Sequence, residues 1–122
     1  MRKLILALTA CVLSALIWHS AAAQEFRIDA EAPRFGIERP VILRLVGSDL
    51  EADGLRCRWI LAHSDVGLRY LSDNRCELEV YIDPNKTRLS RFQHDRVMAV
   101  DVIVYVDADR VGHAAIKLEY VE

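Results

Sequence analysis

Two stretches decide the fold: Leu55–Leu61, which reads LRCRWIL, and Cys76–Ile82, which reads CELEVYI. In both, apolar and polar residues alternate with a period of two, which indicates a strand with one buried face. The alternation places Cys57 and Trp59 on the buried face of the first stretch and Cys76 on that of the second. The sequence therefore predicts two β-strands, each with a cysteine on its inward face.

The rest of the chain continues this pattern of short strands. Further strands are predicted at Val41–Val46, Met98–Val106 and His113–Val121, with weaker edge strands at Phe26–Asp29 and Leu68–Leu71. Asp, Asn, Gly and Ser residues between them are typical of turns. The longest stretch without a predicted strand, 83–96, has room for one helical turn. Seven short strands in about 100 residues predict an all-β, antiparallel β-sandwich.

The first 23 residues, Met1–Ala23, have the pattern of a cleaved signal peptide. Arg2 and Lys3 precede an apolar run that ends in small residues, and this order predicts cleavage before Gln24. A retained membrane anchor and a lipoprotein acylated on Cys11 are the alternatives. The favoured interpretation is an exported protein, periplasmic or secreted, with no membrane span after processing.

The mature chain, Gln24–Glu122, has the size of a single domain. The whole chain has a net charge of −2, and loss of the two cations of the leader leaves −4. A nucleic-acid-binding domain or a polybasic membrane-surface protein is expected to be basic. The acidic balance therefore argues against both classes of protein.

Processing leaves two cysteines, Cys57 and Cys76. An even pair in an exported chain predicts a disulfide, and both side chains are expected to face the core. The bond would close a loop of 18 intervening residues and stabilise the fold by about 3 kcal/mol. Two free buried thiols are the alternative.

Val41–Asp49 is followed by Asp53–Leu55 and then Trp59, and this arrangement resembles the B-strand, acidic turn and C-strand of a PKD-type immunoglobulin-like domain. Val100–Asp109, with the closing strand to Val121, is similar to its F–G hairpin. The Trp-Asp-Phe-Gly-Asp-Gly sequence typical of that family is absent. The resemblance implies an immunoglobulin-like sandwich with a binding or spacing role, although fold does not determine function.

Acidic residues in two predicted turns raise the possibility of a calcium site. They are Asp49, Glu51, Asp53, Asp107 and Asp109. The first three alternate as in an EF-hand loop, but the twelfth position is Ile60 instead of the required glutamate. Solvated turns are the favoured interpretation, and no cofactor is expected.

The residue types needed for catalysis are present but scattered. His63, His94 and His113 lack the spacing of zinc ligands. The run His63–Asp65 contains the residue types of a catalytic triad, yet the chain has no Gly-x-Ser-x-Gly elbow. The sequence therefore predicts a protein that is not an enzyme.

The outward positions of the predicted strands provide a candidate binding surface. Alternation leaves Arg56, Arg58 and Tyr81 on outer sheet faces, and Arg and Tyr are enriched in binding hot spots. We therefore expect a non-catalytic binding module of the bacterial envelope that recognises another envelope or secreted protein. A solvated face, with Tyr81 covering a sheet edge, is one alternative. An inhibitor or immunity protein that blocks an envelope-targeted enzyme is another.

Overall fold

A computed structural model describes residues Glu25–Glu122, so the predicted signal peptide and its cleavage point lie outside the described residues. This part of the chain forms eight strands and one short helix. In chain order these are β1 Phe26–Asp29, β2 Arg34–Phe35, β3 Val41–Gly47, β4 Leu55–Leu61, β5 Gly67–Tyr70, β6 Glu77–Tyr81, α1 Arg91–His94, β7 Val97–Val106 and β8 Asp109–Tyr120.

The strands form two four-stranded sheets. Sheet 1 has the order β1-β3-β6-β5 and is antiparallel throughout. Sheet 2 has the order β2-β8-β7-β4 and is antiparallel except for the short parallel pairing of β2 with β8. The prediction of an all-β protein is confirmed. Strand β2 was not predicted, because two residues are too few to show alternation.

Alternating apolar residues from both sheets build one core. On β7, the buried side chains are those of Met98, Val100, Val102 and Val104, none of which reaches solvent. Burial of one such aliphatic side chain contributes about 1.5–3 kcal/mol. Because successive side chains of a strand point to opposite faces, the alternation of apolar and polar residues gives each strand one buried and one exposed face.

The disulfide connects the two sheets. Cys57 lies on β4 in sheet 2 and Cys76 directly precedes β6 in sheet 1, with an S–S distance of 2.05 Å. Both side chains are buried. The indole N–H of the neighbouring Trp59 donates a hydrogen bond to the carbonyl of Arg75. The predicted Cys57–Cys76 pairing is therefore confirmed, beside the predicted tryptophan.

The β7–β8 hairpin turns through two residues, Asp107 and Ala108. Asp107 has a φ of 55°, a left-handed conformation that Asp adopts more readily than most residues. Its N–H donates to the carbonyl of Gly54, 2.9 Å away. The register shifts beyond Val104, and this bulge interrupts the alternation. Alternation therefore predicts this strand only from His113, whereas β8 begins four residues earlier, at Asp109.

The predicted helical turn in the 83–96 connection is confirmed as α1. Its anchor is Phe92, which is 1% exposed. The Phe92 ring stacks on Tyr120 at 4.7 Å between centroids and meets Phe35 edge-on at 5.5 Å. Aromatic packing therefore fixes the connection against the end of the core.

Candidate functional site

The outer face of sheet 2 carries a cluster of cationic, aromatic and aliphatic side chains. In the strand register Arg56 lies opposite Tyr105, which lies opposite Arg110. The next row consists of Arg58, Ile103 and His113. We call these six residues the arginine face: Arg56, Arg58, Ile103, Tyr105, Arg110 and His113.

The arginine face stands on the most extensively paired strands of the molecule. The β7–β8 ladder has ten register pairs and the β4–β7 ladder has seven. Adjacent strands lie about 4.8 Å apart and alternate residues of one strand about 6.7 Å apart. Each row therefore spans about 10 Å, and rigid strands hold side chains more accurately than loops do.

The three arginines of this face have no carboxylate partner. Among residues 25–122, no acidic oxygen lies within 4 Å of the guanidinium groups of Arg56, Arg58 and Arg110. The closest acids in the register are Asp109, which directly precedes Arg110 on β8, and Asp101, which lies opposite Ile60 in the row after Arg58. The positive charges of the arginine face therefore remain available to an external group.

The central strands of sheet 1 are arranged differently. On its outer face the arginines of β3 and β5 are each paired with a glutamate of β6. Arg44 lies 3.7 Å from Glu77, and Arg69 lies 3.3 Å from Glu79. Cross-strand pairs of this type stabilise a sheet modestly. These two arginines of sheet 1 are thus paired within the sheet, as is Arg34 with Glu119 in sheet 2, whereas the three arginines of the arginine face are not.

Tyr81 does not belong to the arginine face. It lies on β6 in sheet 1, whereas Arg56 and Arg58 lie on β4 in sheet 2, so their outer faces point in opposite directions. The Tyr81 ring covers Gly67 of the edge strand β5, where any Cβ would collide with it. Its position matches the edge-covering alternative and removes it from the candidate site.

The acidic turns do meet at one end of the molecule. Asp49, Glu51, Asp107 and Asp109 line a common cleft, while Asp53 is not among its lining residues. Nevertheless, no group of three or more His, Cys, Asp or Glu residues in the described part of the chain is arranged to hold a metal ion. The cleft therefore provides an acidic surface without an assembled metal site in this region.

Two of the three triad-like residues, His63 and Asp65, make structural contacts. The ring of His63 packs edge-on against Phe92 at 5.1 Å. The carboxylate of Asp65 accepts a hydrogen bond from the backbone N–H of Arg88 at 2.8 Å. That bond lowers the pKa of Asp65, with a further contribution from the Arg91 guanidinium. Asp65 thus attaches the connection before α1 to the rest of the domain.

Comparisons with known proteins do not place the chain in a family. No protein-family model matches it, and no curated protein does. Within residues 25–122 there is also no helix with the length and hydrophobicity needed to cross a membrane. Function is therefore inferred from the arginine face.

Sequence reasoning missed four of the six residues of that face: Ile103, Tyr105, Arg110 and His113, which it considered only as a scattered histidine. The alternation that buries Val102 and Val104 also turns Ile103 and Tyr105 outward, so these two residues could have been found. Arg110 could not, because the bulge in the hairpin changes which residues of β8 lie opposite β7.

Proposed function

We propose that this protein is a non-catalytic binding module that recognises another protein through the arginine face. The observation that supports this function is the cluster of three unpaired arginines around Tyr105 and Ile103 on a rigid sheet. Arg and Tyr are enriched at protein interfaces, and truncation of such residues commonly weakens binding by 1–2 kcal/mol or more.

The strand order supports an immunoglobulin-like domain. Sheet 1, β1-β3-β6-β5, corresponds to A-B-E-D, and β4, β7 and β8 of sheet 2 correspond to C, F and G. Trp59 on β4 lies where that fold has its buried tryptophan. The disulfide differs, because it joins the C-strand to the start of the E-strand instead of B to F.

The proposed location is the periplasm or the extracellular space. The leader pattern of Met1–Ala23 supports export. The Cys57–Cys76 disulfide is compatible with it, because such bonds persist mainly in oxidising compartments. An envelope or secreted protein is accordingly the proposed partner.

Photo-crosslinking at two matched positions tests the proposed function. Ile60 and Ile42 have nearly equal exposure, 46% and 47%, but lie on the outer faces of sheets 2 and 1 respectively. A photoreactive amino acid at each position should yield a discrete protein adduct only from position 60. Adducts only from position 42, or identical adducts from both, would contradict the proposal.

Binding of the purified adduct partner provides the quantitative test. We expect Arg58→Ala to raise Kd about fivefold or more, which corresponds to roughly 1 kcal/mol. Thermal stability should change little, because Arg58 is exposed and contributes little to the core. Unchanged affinity would show that this face is not the binding site.

A further inference from the structure

We propose, on the basis of the proposed function, that the partner of the arginine face is an acidic protein segment with carboxylates at alternate positions of an extended strand. Asp or Glu side chains of that segment would pair with Arg56 and Arg58, and a further carboxylate of the partner would pair with Arg110. The arginine face would thus select its partner by carboxylate groups.

The positive charge of the arginine face favours an acidic partner. Arg56 lies about 6.7 Å from Arg58 and about 10 Å from Arg110, and Arg58 lies about 12 Å from Arg110; the first distance is shorter than the screening length of about 8 Å in physiological salt. Without a carboxylate partner they repel each other. A carboxylate can accept two parallel hydrogen bonds from one guanidinium, so it matches each arginine in charge and in geometry.

The spacing of the arginines also matches an extended segment. Arg56 and Arg58 are alternate residues of β4 and therefore stand about 6.7 Å apart, as do alternate side chains of any extended segment. Arg110 lies two strands away, about 10 Å from Arg56. Tyr105 and Ile103 lie between the cations. Acidic residues at alternate positions share one face of an extended segment and would reach Arg56 and Arg58, and the aliphatic carbons of these acidic side chains would pack on Tyr105 and Ile103.

The surrounding acids argue against a flat anionic surface such as a lipid bilayer. Asp107 and Asp109 lie at the hairpin turn beyond the first row, and Asp101 lies beyond the second. A uniformly anionic plane would meet these acids together with the arginines. A narrow protein segment would bring its carboxylates only to the cationic rows.

Peptide titration followed by NMR tests this inference directly. The probe is a synthetic peptide of alternating Glu and Thr, and the comparison peptide has Gln in place of Glu. We expect the Glu peptide to shift the backbone amide signals of Arg56, Arg58, Tyr105 and Arg110, with weaker binding at high salt. The Gln peptide should cause no shifts.

Matched variants make the test specific. The double variant Arg56→Gln/Arg58→Gln should weaken Glu-peptide binding about fivefold or more. The control is Arg27→Gln, which removes one exposed, unpaired strand arginine from sheet 1 and should leave binding unchanged. Dispersed amide spectra will show that each variant is folded.

Four outcomes would overturn the inference. These are absence of shifts, equal binding of the Gln peptide, equal weakening by Arg27→Gln, and binding to phosphatidylglycerol vesicles without binding to the Glu peptide. The crosslinking result distinguishes failure of this inference from failure of the proposed function. If position 60 still yields an adduct, the face binds a partner of different chemistry; if it does not, the proposed function itself fails.

Discussion

Removal of the Cys57–Cys76 disulfide should cost this domain a large part of its stability. The bond joins residues with a sequence separation of 19 and connects β4 in sheet 2 to the start of β6 in sheet 1. Opening a loop of that length gives the unfolded chain entropy equivalent to about 3 kcal/mol. Total unfolding free energies are typically about 5–15 kcal/mol. For a domain of this size the expected fall in Tm is about 12–24 °C.

Urea denaturation of Cys57→Ala/Cys76→Ala, with oxidised wild type as reference, measures this loss. Alanine avoids placing a polar hydroxyl at two buried positions. The slope of unfolding free energy against urea should increase, because an unfolded chain without the crosslink exposes more surface. Reduced wild type is the control that separates the crosslink from the packing of the two sulfurs. A loss below about 1 kcal/mol would refute the loop-entropy reasoning.

Three further predictions concern the core, a turn and acid stability. Phe92→Ala should lower the unfolding free energy by about 3–5 kcal/mol, because the ring is buried, whereas Phe92→Leu should cost clearly less in the same urea titration. Gly54→Ala should lower the unfolding free energy by about 1–3 kcal/mol, because the φ of Gly54 is 79° and a Cβ would collide with the Asp107 carboxylate. Gly112→Ala is the control and should cost less, because Gly112 does not have a positive φ. The pKa of Asp65 is lower in the folded protein than its ordinary value of 3.8, so the ionised carboxylate stabilises the fold at neutral pH. That contribution is lost as pH falls through the folded-state pKa. Unfolding free energies of wild type and Asp65→Asn should therefore differ at neutral pH and converge in acid; a constant difference would contradict this cause.

Local alternation explains why much of the fold could be predicted from the sequence. Strand β4 has the predicted bounds, Leu55–Leu61, and β1 has the predicted bounds Phe26–Asp29. The inward direction of Cys57 and Cys76 follows from the same period of two and agrees with the disulfide that their even number in an exported chain predicted. Each of these features depends on neighbours a few residues away, which a sequence displays directly.

The composition of the candidate site depends on non-local contacts that alternation does not reveal. The period of two shows that Arg58 and Tyr81 both face outward, but not that β4 and β6 belong to different sheets. It also cannot show that Arg110 lies opposite Tyr105, since that register depends on the hairpin bulge. Sequence reasoning identified two of the six residues of the arginine face, Arg56 and Arg58, and the pairing of distant strands shows which other residues lie beside them.

The edge of sheet 2 formed by β4 is covered, whereas the outer face beside it is open. An uncovered edge strand invites another strand to pair with its backbone. Here the N–H of Cys57 donates to the carbonyl of Asn74, and the Trp59 indole donates to the carbonyl of Arg75. The segment held by these bonds and by the disulfide lies along the open side of β4. An approaching strand therefore meets an occupied edge but an unobstructed outer face, where Arg56 and Arg58 lack carboxylate partners.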